Sequence, residues 1–229
     1  MGREIGLAFS PMSSRSVLIV LALLVTASCR PAAVTIPMRG ELGGWTKIGG
    51  GATYTVEDGV IVGQARSFTD NTFLCTDEIY DDFDLTVEFK APSSLNSGVQ
   101  FRSLSLPEYR GGRVHGYQAE IDVDADRGRW WTAGVYDEAR RGWLFPGQAG
   151  GDGEEFTRVG ETLARPDQWN QMRIEAVGPR IRTWLNGQLR SDFEDDVTSR
   201  GMICLQVHGG LWFPAGTEVR WRNLEIKRL

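Results

Sequence analysis

The sequence predicts an all-β domain folded as a two-sheet antiparallel β-sandwich. Roughly a dozen short segments alternate apolar and polar residues with the two-residue period of a half-buried strand. Asp58-Gly59 and Asn186-Gly187 fall between β-prone runs, where type I′ hairpin turns select those dipeptides. No window of helical length shows a convincing 3.6-residue apolar period.

The chain opens on a targeting signal over residues 1–29. Arg15 precedes the apolar run Val17 to Val25, which has the length of a signal h-region and is short for a membrane span. Met12 gives a tidier start, with Ser13-Ser14-Arg15 as the charged region. Thr26-Ala27-Ser28-Cys29 follows and is lipobox-like, with Thr26 where Leu is usual. The expected product is an exported lipoprotein acylated at Cys29 and tethered to the outer membrane on its periplasmic side. Ordinary secretion with cleavage nearby is the competing reading. Residues 30–42 read as a linker, because two prolines interrupt any period. One domain, 43–229, fits the remaining length.

Within that domain the strands follow in order. Thr53–Val56 and Val60–Gly63 form a hairpin around Asp58-Gly59, and Phe73–Thr76 is a third strand. Phe83–Lys90 alternates without a fault, with Phe83, Leu85, Val87 and Phe89 on one face. Residues 96–102 and 116–122 are the next pair. A short strand spans 134–136, a long one 169–177, and Arg180–Leu185 turns through Asn186-Gly187 into Gln188–Arg190. Residues 201–208 and 219–227 complete the set. Residues 138–166 carry little strand pattern and are rich in glycine and charge, which reads as an ordered wall of a site.

The segments 96–102 and 116–122 carry the chemistry. Successive strand side chains point to opposite faces. Gln118, Glu120 and Asp122 therefore share one face, and Tyr117, Ala119 and Ile121 the other. The same parity puts Gln100 and Arg102 opposite Val99 and Phe101, and Gln206 beside His208 on a later strand. Amides, acids and a guanidinium are poor core material unless paired, so this face is expected to floor a polar site. Glu120 and Asp122 lie ~7 Å apart along the strand. Neighbouring carboxylates push one pKa upward, which suits acid–base work, and histidine as a residue type titrates near neutrality. Glu120, Asp122, His208 and Arg102 are the catalytic candidates. Asn96, Gln100, Gln118, Tyr136, Glu138, Arg140, Arg141, Trp143 and Gln206 are the candidate substrate contacts.

Blander readings stand beside these. Glu120 with Arg102 reads also as a cross-strand ion pair, His208 as a histidine satisfied under a loop, Arg140-Arg141 as a solvated corner, and Trp143 as packing. Glu120, Asp122 and His208 are residue types that can take a divalent metal, but no metal-spacing motif is present, and no cofactor is expected. The net charge of −5 argues against a nucleic-acid partner. Cys75 and Cys204 suit either a disulfide in an exported domain or two buried thiols.

The order of motifs resembles the 3-keto-disaccharide hydrolase domain family. The motifs are Gly43-Gly44-Trp45, Phe83–Lys90, Asn96-Ser97-Gly98-Val99 with Phe101-Arg102, Gly116 to Asp122, and Val135-Tyr136-Asp137-Glu138. Further along come Trp169-Asn170, Trp184-Leu185-Asn186-Gly187, Leu205-Gln206 with His208-Gly209, and Arg222 to Ile226. Many members carry Glu at the position of Gln118 and Gln at that of Glu120. The resemblance implies a concanavalin-like jelly roll with a concave polar face, in an exported bacterial protein. It also implies cleavage of glycosides already oxidised at C3, by C2 proton abstraction, elimination and hydration, with an oligosaccharide or 3-keto-sugar as substrate. A non-catalytic, lectin-like carbohydrate-binding module of the same fold is the alternative. A third reading is a surface interaction domain using the loop from Arg140 to Phe145.

Overall fold

The computed structural model describes residues 1, 2, 34, 35, 42–124, 128–214 and 216–229. The targeting signal and its lipobox-like end at Cys29 lie outside the described residues. The chain divides into two units, Met1–Arg30 and Pro31–Leu229, and the fold is that of the second.

In chain order the strands are β1 (Val34–Thr35), β2 (Trp45–Gly49), β3 (Thr53–Glu57), β4 (Val60–Gln64), β5 (Thr72–Thr76), β6 (Phe83–Lys90), β7 (Ser97–Leu104), β8 (His115–Ile121), β9 (Val123–Asp124), β10 (Arg129–Trp130), β11 (Val135–Glu138) and β12 (Gly142–Phe145). Helix α1 (Gly153–Leu163) follows, then β13 (Asn170–Val177), β14 (Arg180–Leu185), β15 (Gln188–Glu194), β16 (Met202–Val207) and β17 (Glu218–Arg228). One antiparallel sheet runs β15-β14-β13-β6-β17-β4-β3, with β1 added beside β17. The second runs β12-β11-β8-β7-β16-β5-β2, and β9 and β10 form a separate hairpin.

The two sheets share one apolar core, as strands with one apolar face must. Phe83, Leu85, Val87 and Phe89 of β6 enter it from one side with Met172, Ile174 and Trp221. Val99, Phe101, Tyr117, Ala119, Ile121, Leu205 and Val207 enter from the other. The outer face of the first sheet is solvated and laced by cross-strand ion pairs, including Arg173 with Asp84 and Arg222 with Glu88. Cys75 and Cys204 are direct partners across β5 and β16, and their sulfurs are bonded.

Three expectations need correction. Residues 153–163 are helical: Asp152 caps the helix by accepting from the Glu155 N–H (2.8 Å), and Glu154 and Glu155 fill the first turn. Phe156, Val159, Gly160 and Leu163 recur at i, i+3, i+4 and i+7, a short apolar stripe of which Phe156 and Gly160 are buried. Within the segment read as a linker, Val34 and Thr35 pair with Ile226 and Glu225 of the last strand. Strand β7 does not keep its parity to the end. Its pairing with β8 shifts between Phe101 and Leu104, and Arg102 has a φ of 47°, the mark of a bulge.

Candidate functional site

The outer face of the second sheet holds a cleft of about 710 Å³, within the range of small-ligand sites. Its floor comes from β7, β8 and β16. Gln100, Gln118 and Tyr136 are register partners in one row across β7, β8 and β11, and Gln206, Gly98 and Glu120 form the next row. Gln118 Nε2 donates to Glu120 Oε1 (2.6 Å) and to Gln206 Oε1 (3.3 Å), and Gln100 Nε2 donates to Gln118 Oε1 (3.1 Å). The row is possible because residue 98 is glycine. A Cβ there would lie 2.5 Å from Gln118 Cγ.

Glu120 has both carboxyl oxygens occupied. Asn96 Nδ2 donates to Glu120 Oε2 (3.1 Å) and to Asp122 Oδ1 (3.3 Å), so one amide bridges the two acids. Burial, then the negative charge of Asp122, pushes the Glu120 carboxyl up to about 8, against the lowering pull of Gln118 and Asn96. Asp122 itself is gripped by Arg129, whose Nε and Nη2 donate to its two oxygens, a bidentate geometry that only a guanidinium supplies. The Arg129 guanidinium lies 5.9 Å and 5.8 Å from the ring centres of Trp131 and Trp143.

Strand β11 and its partner β12 build the wall. Tyr136 and Glu138 point into the cleft by strand parity, and Trp143 meets the Tyr136 ring edge-on at 5.3 Å. Burial and the nearby Glu138 and Glu120 raise the Tyr136 hydroxyl, which keeps it a neutral donor. Glu138 Oε1 accepts from Arg113 Nη2 (3.0 Å) and Asn71 Nδ2 (3.4 Å). Behind the wall, Trp131 Nε1 donates to Thr157 Oγ1 of the helix (2.8 Å). The buried Arg190 donates to the carbonyls of Trp130 (3.2 Å), Thr132 (3.3 Å) and Phe156 (2.8 Å). The helix thus buttresses the loop that presents Arg129.

Most of the expected residues therefore meet. Asn96, Gln118, Glu120, Asp122, Tyr136, Glu138, Arg140, Trp143, Gln206 and His208 all line the cleft. Gln100 is fully buried and reaches it only through Gln118. His208 follows the end of β16 and is exposed at the lip. Among the described residues Gln206 Nε2 is buried without a hydrogen-bond partner.

Two placements are corrected. Arg102 is not in the cleft: the bulge turns its side chain away. It donates to Asp81 O (2.9 Å), Gly178 O (2.7 Å) and Asp82 Oδ1 (2.8 Å) and is 1% exposed. It forms no pair with Glu120. Arg141 also lies off the cleft lining, holding Asp137 and Asp195. Arg140 lines the cleft while donating to Asp137 Oδ1 (2.6 Å) and Thr198 Oγ1 (2.6 Å), so its charge is largely spent on structure. Sequence reasoning missed Asn71, Arg113 and Arg129. Arg129 had a signal in the Gly128-Arg129-Trp130-Trp131 turn; the other two come from loops without one. Among the described residues, no three His, Cys, Asp or Glu side chains group as metal ligands.

No curated protein matches the sequence significantly. Among solved structures, a candidate glycosyl hydrolase from Parabacteroides distasonis ATCC 8503 is similar at a TM-score of 0.54 and 21% identity, over 82% of this chain and 90% of its own. A Bacillus subtilis protein of unknown function with a galectin-like fold gives 0.53 at 12% identity, over 80% and 89%. The carbohydrate recognition domain of Emp47p gives 0.51 at 11%, over 81% and 89%. At these identities the likeness is one of fold, a sandwich of the concanavalin-like and galectin-like kind. The sequence model of one family matches residues 39–227, and the chain belongs to that family, the 3-keto-alpha-glucoside-1,2-lyase-like domains.

Proposed function

We propose that this domain cleaves glycosides whose sugar ring already carries a ketone at C3. The ketone acidifies the C2 proton, and Glu120 is the base that takes it. The C2–H electron pair forms the enolate. As the C3 carbonyl re-forms, C1=C2 closes and the C1–oxygen bond breaks, its electrons leaving with the oxygen. Water then adds across C1=C2. The observation that carries this reading is the Glu120–Asp122 pair, bridged by Asn96 on the floor of a polar cleft. A carboxyl pushed up to about 8 is a stronger base once ionised, and its two amide donors are placed to receive the charge. Tyr136 supplies a neutral hydroxyl for the enolate oxygen, and His208 at the lip supplies a proton to the departing oxygen.

Incubation with a 3-keto-glucoside or 3-keto-trehalose is expected to release free sugar, and Glu120→Gln to abolish release while circular dichroism stays that of the folded protein. No release by the wild-type protein sinks the catalytic reading. The amide row of Gln100, Gln118 and Gln206 favours a second reading, a lectin-like site without turnover. It stands if sugar binds, no release occurs, and Glu120→Gln weakens only affinity. We propose further that the domain is exported and anchored through Cys29; the Cys75–Cys204 bond supports an oxidising compartment.

A further inference from the structure

Beside the lip of the cleft, the loops 67–71 and 208–213 enclose a groove of about 590 Å³. Asn71 and Arg113 line both cavities, so the groove continues the cleft past His208. Apart from Met1, the three most exposed large apolar side chains among the described residues gather on these loops: Leu211 at 81%, Phe68 at 80% and Trp212 at 70%. Clustered exposure of this kind marks a binding surface more often than chance.

The loops are held, not loose ends. Phe68 N–H donates to Gly210 O (2.7 Å), Phe213 N–H to Ser67 Oγ (2.9 Å), and Gly209 N–H to Asn71 Oδ1 (2.8 Å). Asn71 in turn donates to Glu138 inside the cleft. Phe68 adopts a φ of 57°, which a bulky residue rarely does. Gly209 and Gly210 line the groove and let the two loops pack closely against each other. A Cβ on Gly209 would lie 2.3 Å from the Thr69 and Asp70 backbone, and one on Gly210 2.8 Å from the Phe213 ring. Phe68 and Leu211 line the groove beside Thr69, Asp70, Asn71 and Arg113, so an aromatic ring entering it meets two exposed apolar side chains and a polar edge.

We infer that this groove is the leaving-group subsite, and that it takes a flat apolar, aryl aglycone. The inference rests on the cleft being the keto-sugar site. With the sugar over Glu120, the C1–oxygen bond points past His208 into the groove. When that bond breaks, the oxygen leaves with the electron pair and takes its proton from His208.

The test compares an aryl and a methyl 3-keto-glucoside, in wild type and in the double variant Phe68→Asn, Leu211→Ser. Asn tolerates the positive φ at residue 68. The aryl-to-methyl ratio of kcat/KM is expected to fall about tenfold, the scale of one lost apolar contact face. An unchanged ratio overturns the subsite. A binding arm separates this from failure of the chemistry: saturation-transfer NMR with the same two glycosides. If wild type turns over neither sugar yet the aryl protons saturate more strongly than in the variant, the groove stands and the lyase reading falls. Equal saturation in both proteins overturns the groove.

Discussion

The side chain of Gln118 fills the space a Cβ on Gly98 would need, and through that gap it reaches Gln206 two strands away. The floor of the cleft thus depends on a missing atom. Gly98→Ala forces either the Gln118 side chain or β7 to move, and overpacking of this kind costs about 1–3 kcal/mol. The displaced Gln118 also lets go of Glu120 Oε1. Turnover is expected to drop by about a hundredfold, as small misplacements of reacting groups do. Urea unfolding and sugar release on the same preparation check both effects; wild-type values for each would show that the Gln118 bridge is dispensable.

The Glu120 carboxyl gives the protein a pH signature. Its ordinary value is 4.5 and in the fold it is pushed up to about 8, by burial first and Asp122 second. The folded protein holds a proton there that the unfolded chain has released. The stability this contributes is complete below the ordinary value and is lost as pH rises through about 8. Relative to Glu120→Gln, wild type should therefore weaken between about pH 5 and about pH 9, by a few kcal/mol at most. Proton abstraction has the opposite slope, since only the ionised carboxylate is a base. kcat/KM should climb as stability falls. Parallel pH dependences of stability in wild type and Glu120→Gln would remove Glu120 as the titrating group.

Strand β8 could be read directly because its two faces differ in kind: Tyr117, Ala119 and Ile121 against Gln118, Glu120 and Asp122. Side-chain period alone then assigns the floor. The same logic failed for Arg102 because parity survives only as far as the ladder is regular, and the bulge after Phe101 leaves no mark in composition. Helix α1 escaped although Asp152 and the Phe156-Val159-Gly160-Leu163 spacing mark it, because the stripe is only two turns long and includes a glycine, whose Cβ would meet Trp130 O at 1.9 Å. The pairing of Val34–Thr35 with β17 is made by backbone groups, which any sequence supplies. Arg113 reaches the cleft from a loop and Arg129 from the separate β9–β10 hairpin, so no period of the floor strands relates them to it.

The disulfide closes a long loop, at a sequence separation of 129 between Cys75 and Cys204. In the chain-entropy account, a cross-link over a loop of that size stabilises by up to about 5 kcal/mol. Thermal unfolding with tris(carboxyethyl)phosphine should show a clearly lower midpoint than without it. Cys75→Ala should unfold at the lower midpoint under both conditions. A reductant-insensitive wild type would mean that the β5–β16 pairing needs no cross-link.

Arg102 separates structure from catalysis. Its guanidinium ties the turn at Asp81-Asp82 to the tight turn at Gly178, whose N–H donates to the same Asp82 carboxylate (2.9 Å). Burial lowers its pKa and Asp82 opposes that shift, so the pair is partly desolvated on one side only. Arg102→Met keeps the stem's packing and removes the charge; the Asp81 and Gly178 carbonyls lose this donor, while Asp82 Oδ1 keeps the Gly178 N–H. Stability should fall by about 2–4 kcal/mol, less than for a fully buried pair because Asp82 remains 38% exposed. The folded fraction should keep its KM, its kcat and the pH limb assigned to Glu120, because nothing in the cleft touches Arg102. A lost or displaced pH limb in folded Arg102→Met would put this residue back in the reaction.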